Sequence, residues 1–294
     1  MAKGTERITG HTELIGLLAK PIRHSNSPTM HNEAFAKLGL DYAYLVFEVD
    51  NETLEDAVKG LRAMGVRGWN VSMPNKTLIV KYLDKLTPAA QLCGAVNTVI
   101  NDNGVLTGTI TDGTGMMRAL EESGVEFVGK KMTIAGAGGA ATAIEIQAAL
   151  DGVAEISIFN RRDEFWQRAE ENVRNINEKT NCKATLYDLA DLDSLKREIA
   201  NSDIFMNATG VGMKPLDGQM VIPDASYLRP DLVVADTVYM PRETKLLQTA
   251  REVGCKKVIN GEGMLLFQGA AAFKLWTGQD MPVDHVKDVL DIQF

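Results

Sequence analysis

Cysteine is scarce in this 294-residue chain: Cys93, Cys182 and Cys255 are odd in number and far apart. No C-x-x-C pair occurs, so neither a disulfide framework nor a zinc site is expected, and the thiols read as free and buried in a reducing compartment. Histidine is equally thin: His11, His24, His31 and His285 form no metal-ligand spacing, and no metal is expected. No apolar run approaches the roughly 18 residues of a membrane span. The first dozen residues are mostly polar and hold no apolar signal segment. A cytoplasmic protein is expected, with Met1 to Glu13 as a frayed tail. Basic charge is in deficit: 31 Lys and Arg against 39 Asp and Glu leave a net charge of −8. Such a surface is not built to coat nucleic acid or anionic lipid, although a local basic pocket remains compatible with it.

Hydrophobic residues make up 45% of the chain and charged residues 24%, enough for two cores in a chain of two-domain length. Glu13–Leu18 reads as a short strand. Ser27 followed by Pro28 is a helix start, a hydroxyl N-cap and then proline at the first helical position, with Gly39 as the stop. Tyr42–Val49 alternates like a strand, and Asn51–Met64 is an amphipathic helix. Gly68-Trp-Asn-Val-Ser72 is a short strand, and Met73-Pro-Asn-Lys76 leads into another helix. Ala95–Ile100 and Val105–Thr109 flank Asn101-Asp-Asn-Gly, a hairpin signal. Met116–Ser123 is helical. From Lys131, strands and helices alternate as far as Lys257–Ile259, the pattern of a parallel, doubly wound sheet. Two helices, Gly263–Trp276 and Val283–Leu290, close the chain.

Within that second half, Ile134-Ala-Gly-Ala-Gly-Gly-Ala-Ala follows a strand and opens a helix that reaches a second strand, Glu155–Phe159. This is the context in which a glycine turn signals dinucleotide binding. Gly136 permits the tight turn, Gly138 lets the backbone approach a pyrophosphate, and Ala141 takes the third small position, which the fingerprint allows. The helix N-terminus offers unpaired N–H groups and positive dipole to the phosphates. The second strand ends at Asn160-Arg-Arg-Asp163, where an acid suits the ribose of NAD and an arginine the 2′-phosphate of NADP. Both types are present. Arg161 and Arg162 suit adenine stacking or phosphate; Asp163 suits ribose hydroxyls, or simply caps the next helix. NAD is favoured, with NADP tolerated. The expected fold is therefore α/β with two domains: an N-terminal α/β substrate domain over 1–114, and a Rossmann-type dinucleotide domain with a doubly wound parallel sheet over 115–262. Helices in 263–294 are expected to pack back on the first domain.

A hydride-transferring protein needs a proton-handling group. Lys76, placed by the pattern at a helix start where the dipole disfavours it, and Asp112, where the chain leaves the first domain, are the candidates. Their ordinary readings are a solvated lysine and a turn or N-cap aspartate. The ordered set His24-Ser-Asn-Ser-Pro28, Asn70-Val-Ser-Met-Pro-Asn-Lys76, Gly94-Ala-Val-Asn-Thr98, Thr111-Asp-Gly-Thr-Gly115, Gly136–Ala141, Asn207-Ala-Thr-Gly-Val-Gly-Met213 and Gly263-Met-Leu-Leu-Phe-Gln268 changes that balance. It resembles the shikimate dehydrogenase family from about Glu13 to Trp276, and is most similar to the quinate/shikimate branch.

The resemblance implies reversible oxidation of shikimate to 3-dehydroshikimate, or of quinate to 3-dehydroquinate, with NAD(P), and a homodimer. It assigns Lys76 as the catalytic lysine and Asp112 as its partner, both also touching substrate. Ser25 and Ser27 match the serines that hold the substrate carboxylate. Ser72, Asn97 and Gln268 match groups that bind ring hydroxyls or carboxylate, and Tyr239 matches a tyrosine near the carboxylate. On the cofactor side it implies Gly136, Ala137, Gly138, Gly139, Ala140, Asn160, Arg161, Arg162 and Asp163, the loop residues Asn207, Thr209 and Met213, and Tyr239, Gly261 and Met264. Two positions depart from the family pattern. Ile110 replaces an amide two residues before Asp112, on the same side if the strand continues to 112. Trp69 stands where a small residue is usual. An aminoshikimate dehydrogenase, or a sensor that keeps the fold without turnover, are the competing readings; Ile110 alone favours the sensor.

Overall fold

The computed structural model describes residues 8–294. They form two compact units, one built from the chain up to Thr111 and Gln268–Ile292, the other from Asp112–Phe267 and Gln293–Phe294. The chain thus leaves the first unit at Thr111 rather than at 114, and returns within a helix, Glu262–Thr277, rather than ahead of it.

The first unit holds β1 (Glu13–Ala19), α1 (Ser27–Leu38), β2 (Tyr42–Glu48), α2 (Leu54–Ala63), β3 (Gly68–Val71), β4 (Lys85–Leu86), α3 (Pro88–Cys93), β5 (Thr98–Asp102) and β6 (Val105–Thr109). Its sheet runs in the order β2-β1-β3-β5-β6-β4. β1 is parallel to β2 and β3, whereas β5 is antiparallel to both β3 and β6. The expected hairpin turn is Asn103-Gly104, both at positive φ (53° and 88°), as a two-residue turn matching the strand twist requires. The Asn101 side chain steadies it by accepting from the Gly104 N–H at 2.8 Å.

Several local expectations are corrected. Asn26, not Ser27, is the N-cap of α1, and no side chain caps it. Ser27 is the first helical residue; its N–H donates to Ser25 Oγ at 3.2 Å. Lys76 does not open an α-helix. It lies in a turn over 73–77 that precedes a short 3-10 helix, Leu78–Tyr82, a segment too short and too rich in β-branched Ile79 and Val80 to sustain an α-helix. The dipole argument for that lysine therefore lapses. β6 ends at Thr109 and Asp112 opens a helix, so strand alternation does not relate Ile110 to Asp112. Of the expected tail, residues 1–7 lie outside the described residues, while Thr12 already donates to Asp41 at 2.6 Å and Glu13 opens β1.

The core of this unit is aromatic. His31 is stacked on Tyr44, ring centroids 4.5 Å apart, with Phe35, Phe273 and Trp276 around it; burial pushes its pKa down to about 3 and holds it neutral. Trp276 Nε1 donates to the Val99 carbonyl at 3.0 Å. Gly68 makes that possible: a Cβ there would lie 2.4 Å from Trp276 Nε1. Trp69 is fully buried in the central β3.

The second unit holds α4 (Asp112–Glu122), β7 (Lys131–Ala135), α5 (Gly139–Leu150), β8 (Glu155–Asn160), α6 (Trp166–Lys179), β9 (Lys183–Asp188), α7 (Leu192–Ala200), β10 (Ile204–Asn207), β11 (Val233–Asp236), α8 (Lys245–Val253) and β12 (Lys257–Ile259). All strand pairings are parallel, in the order β12-β11-β10-β7-β8-β9. From the other edge this is the 3-2-1-4-5-6 order of a Rossmann sheet. Asp112 belongs here because α4 lies close against α5: a Cβ on Gly113 would sit 2.2 Å from the Ala143 carbonyl oxygen. α5 is apolar nearly all round, as a helix buried on several sides must be. Phe159, Phe205, Leu195, Val234 and Leu247 are central in the core on the α7 and α8 side. The chain closes with α9 (Glu262–Thr277), which runs from the second unit into the first, and α10 (Val283–Leu290), which packs on α1 within the first unit.

Candidate active site

In the first unit, the register fixes a polar edge. Ala19 ends β1, Val71 ends β3, Thr98 begins the antiparallel β5 and Thr109 ends β6, so the segments carrying Ser25, Ser27, Ser72, Lys76 and Asn97 emerge on one side of the sheet. Backbone bonds tie them together. Lys20 N–H donates to the Met73 carbonyl at 3.2 Å, Ser72 N–H to Leu18 at 3.0 Å, and Val96 N–H to the Lys76 carbonyl at 2.8 Å. Lys76 is half-buried.

Beneath this edge lies one buried side-chain network. Asn97 donates to Thr111 Oγ1 at 3.0 Å, and its Oδ1 accepts from the Thr111 N–H at 2.9 Å and Thr98 Oγ1 at 3.0 Å. Asn70 donates to Thr98 Oγ1 and the Asn97 carbonyl and accepts from the Tyr44 hydroxyl at 2.7 Å. That hydroxyl also meets Ser27, while burial raises the phenol's pKa well above its usual value. Hydroxyls and amides held at fixed places are what a polyol acid requires, since each buried polar group left unpaired costs about 1–3 kcal/mol. Thr111, so fixed, is followed directly by Asp112, which is buried in the first turn of α4. Gln268, partly buried, is the first residue of α9 belonging to the first unit.

In the second unit, every candidate cofactor residue lies at or just beyond the carboxyl end of a strand, or, for Met264, in the first turn of α9. Gly136 has φ +117°, and a Cβ there would lie 2.5 Å from the Ala208 carbonyl oxygen. Gly138 caps α5, followed by Gly139 and Ala140 in its first turn. A Cβ on Gly138 or Gly139 would meet nothing within 4 Å, so the bare backbone there faces open space. Unpaired helix-start N–H groups beside such space fit a pyrophosphate. Ala137 is buried beneath.

At the end of β8 the loop is already knitted. Asn160 donates to the Arg161 carbonyl at 2.7 Å and to Asp163 Oδ1 at 2.9 Å, and that same oxygen accepts from the Phe165 N–H at 3.0 Å. Asp163 is not the helix cap; Phe165 is. Arg162 pairs with Asp188 at 2.9 Å and lies 4.3 Å over the Trp166 ring. Arg161 is exposed. After β10, Asn207 and Thr209 form a hydrogen-bonded turn leading to the half-exposed Met213; Tyr239 is similarly exposed beyond β11. Gly261 follows β12, with no room for a Cβ against the Thr237 carbonyl. Among the described residues, no group of His, Cys, Asp or Glu is arranged to hold a metal, and no helix is long and apolar enough to cross a membrane.

Tyr44, Asn70, Thr111 and Asp236 were not among the site residues expected from the sequence. An asparagine inside the short strand Gly68–Val71 was the available signal for one of them.

Sheet order and glycine turn define a dinucleotide-binding protein of the Rossmann class, coupled in one chain to an α/β unit with a polar, hydroxyl-rich edge. A model of the shikimate dehydrogenase substrate-binding domain matches residues 17–99, and one of the shikimate 5′-dehydrogenase C-terminal domain matches 261–290. The chain is 67% identical to shikimate dehydrogenase (NADP(+)) of Listeria innocua, over 98% of this chain and 99% of that protein. It is also 67% identical to the shikimate 5-dehydrogenase of Listeria monocytogenes solved with shikimate and NAD, at a TM-score of 0.96 over 97% and 99% of the two chains. Quinate dehydrogenase from Corynebacterium glutamicum, solved with NAD, is 30% identical at a TM-score of 0.84 over 96% and 99%. The chain belongs to the shikimate dehydrogenase family.

Proposed function

We propose that this protein oxidises shikimate reversibly to 3-dehydroshikimate with NADP, in the cytoplasm. The near-complete overlap with the Listeria monocytogenes protein solved with shikimate and NAD carries the shikimate part of this reading. Ser25 and Ser27 hold the substrate carboxylate, with Tyr44 bracing Ser27. Ser72, Asn97 and Gln268 read the ring hydroxyls. Lys76 takes the alcohol proton as the C–H bond is broken, with Asp112 stabilising its charged form. When bound, the dinucleotide supplies the hydride acceptor. Gly136 to Ala140 hold its phosphates, and Asn207, Thr209, Met213, Tyr239, Gly261 and Met264 face its nicotinamide half.

Arg161 is the side chain that favours NADP. Asp163 is engaged by Asn160 and the Phe165 N–H, and Arg162 by Asp188 and Trp166, which leaves Arg161 to meet a 2′-phosphate. The relatives' names support the same choice: proteins 57–67% identical are shikimate dehydrogenases (NADP(+)). Quinate is a second substrate on this reading, supported by the likeness to the Corynebacterium quinate dehydrogenase.

Absorbance at 340 nm, followed for shikimate and quinate with each of NADP and NAD, tests the assignment; shikimate with NADP is expected to give the highest kcat/KM. Lys76→Ala is expected to lose most of kcat, about 100-fold or more, while the Kd for NADPH stays within about 2-fold, a spread worth only about 0.4 kcal/mol. Normal turnover by that variant would sink the role given to Lys76.

A further inference from the structure

The turn after β10 is held by one buried carboxylate. Asp236, the last residue of β11, is fully buried and sits opposite Asn207 in the register. Its Oδ1 accepts from Asn207 Nδ2 and the Val238 N–H, each at 3.0 Å, and its Oδ2 accepts from Thr244 Oγ1 at 2.7 Å. Asn207 spends the rest of its amide on the turn. It donates to the Val211 carbonyl at 2.9 Å and accepts from the Thr209 N–H and hydroxyl at 3.1 and 2.7 Å. Thr209 Oγ1 in turn accepts from the Val211 N–H at 3.1 Å. Thr244 closes the other side. It caps α8, and its methyl group would touch a Cβ on Gly212, which has φ +103°.

Three donors converge on Asp236, and a carboxylate accepts all three, whereas an amide accepts on one oxygen only. The groups facing it are neutral: Asn207 from β10, Thr244 at the head of α8, and the Val238 amide of its own loop. The nearby charged side chains are paired elsewhere, Arg242 with Glu262 and Glu243 with Arg251. Burial among neutral partners pushes the carboxyl up to about 6, against bonds that pull it down, so it is ionised at neutral pH. A buried charge without a cation is costly and persists where donors are fixed around it.

We propose that Asp236 is a positioning residue of this enzyme: through Asn207 it sets the Thr209–Gly212 turn against which the nicotinamide half of the cofactor is placed. That placement rests on the function proposed above. The proposal predicts an effect on the turn itself and on kcat, rather than on shikimate binding.

Hydrogen exchange over 207–213 by mass spectrometry, together with steady-state kinetics, is the test. In Asp236→Asn the amides of Thr209 and Val211 are expected to exchange at least about 10-fold faster, the scale set by losing one buried hydrogen bond. kcat is expected to fall about 10-fold and the KM for shikimate to stay within about 2-fold. Thr209→Val, which removes the hydroxyl linking Asn207 to Val211 without disturbing the buried charge, is expected to reproduce both changes in part and serves if Asp236→Asn does not fold. Unchanged exchange over 207–213, faster exchange spread evenly across 112–267, or a loosened turn with unchanged kcat would each overturn the proposal. If the wild-type protein turns over neither substrate, the function reading falls while the exchange result still decides whether Asp236 holds the turn.

Discussion

Glu145 in α5 is fully buried and is not among the candidate site residues, which makes it a probe of how a buried acid trades charge for packing. Asn172 of α6 donates its Nδ2 to one carboxyl oxygen. The other carboxyl oxygen and Asn172 Oδ1 meet no hydrogen-bond partner. Desolvation pushes the pKa from 4.5 to about 8, more than the Asn172 bond and the nearby Arg168 charge pull it back. The sign follows. The unfolded chain releases this proton near 4.5, the folded chain only near 8, so the stability this group contributes is fully present below 4.5 and is lost as pH rises, levelling off above 8. At about 1.4 kcal/mol per pH unit, the decline amounts to about 3 kcal/mol by pH 7 and about 5 kcal/mol on the upper plateau. Glu145→Gln removes it. The amide keeps the shape, accepts from Asn172 Nδ2, and turns its own NH2 toward the unpartnered Asn172 Oδ1, completing a cyclic amide pair. The variant is expected to melt at the same temperature as wild type near pH 4.5 and roughly 6–12 °C higher at pH 7, taking about 2–4 °C per kcal/mol for a unit of this size. Calorimetry at half-unit pH steps from 4.5 to 9 gives the comparison. A gap that stays constant with pH, or a variant that melts lower at pH 8, would refute the reasoning.

Gly136→Ala forces a side chain into a backbone at φ +117° with its Cβ 2.5 Å from the Ala208 carbonyl oxygen; strain of about 1–3 kcal/mol is expected, with NADPH affinity at least 10-fold weaker by fluorescence titration, and wild-type affinity would show that the turn does not carry the phosphates. Arg161→Ala is expected to raise the KM for NADP about 10- to 100-fold, the worth of a charged hydrogen bond of about 1.5–3 kcal/mol, and to leave the KM for NAD unchanged; equal effects on both cofactors would remove Arg161 from the 2′-phosphate.

The parts of the molecule that sequence reasoning reached are those set by local chemistry. Asn103-Gly104 demands a tight hairpin because both residues accept positive φ. Gly136-Ala-Gly138 demands a turn between strand and buried helix, because a Cβ at 136 collides with the neighbouring strand's exit. Alternating apolar segments from Lys131 onward reveal the parallel sheet because its four inner strands, β7, β8, β10 and β11, are buried on both faces. Local rules also misled where two of them competed. Ser27-Pro28 has the chemistry of a cap, yet the cap lies one residue earlier, at Asn26, and Ser27 is the first helical residue. A hydroxyl that capping would engage is instead placed beside Tyr44.

Tyr44 and Asp236 show why the rest was not legible. In the chain, Tyr42-Ala-Tyr-Leu-Val-Phe is an alternating strand in which a tyrosine is one more large residue. Its role appears only when β2 is the edge strand beside β1, when α1 lays His31 flat on the ring, and when the polar end meets Asn70, twenty-six residues away in sequence. Asp236 ends an apolar strand as aspartates often do, and nothing local distinguishes it from a solvated loop residue. Only the parallel register of β10 and β11 sets it opposite Asn207, and only the folded α8 brings Thr244 to its second oxygen. Local chemistry thus locates a helix start suited to an anion, because a helix N-terminus is a property of one segment. The groups that orient a polyol, or the turn beside the nicotinamide, must be drawn from several strands at once, because reading fixed hydroxyls requires donors and acceptors converging from different directions. A site of that second kind is written in the pairing of strands, and it becomes visible only when the pairing is known.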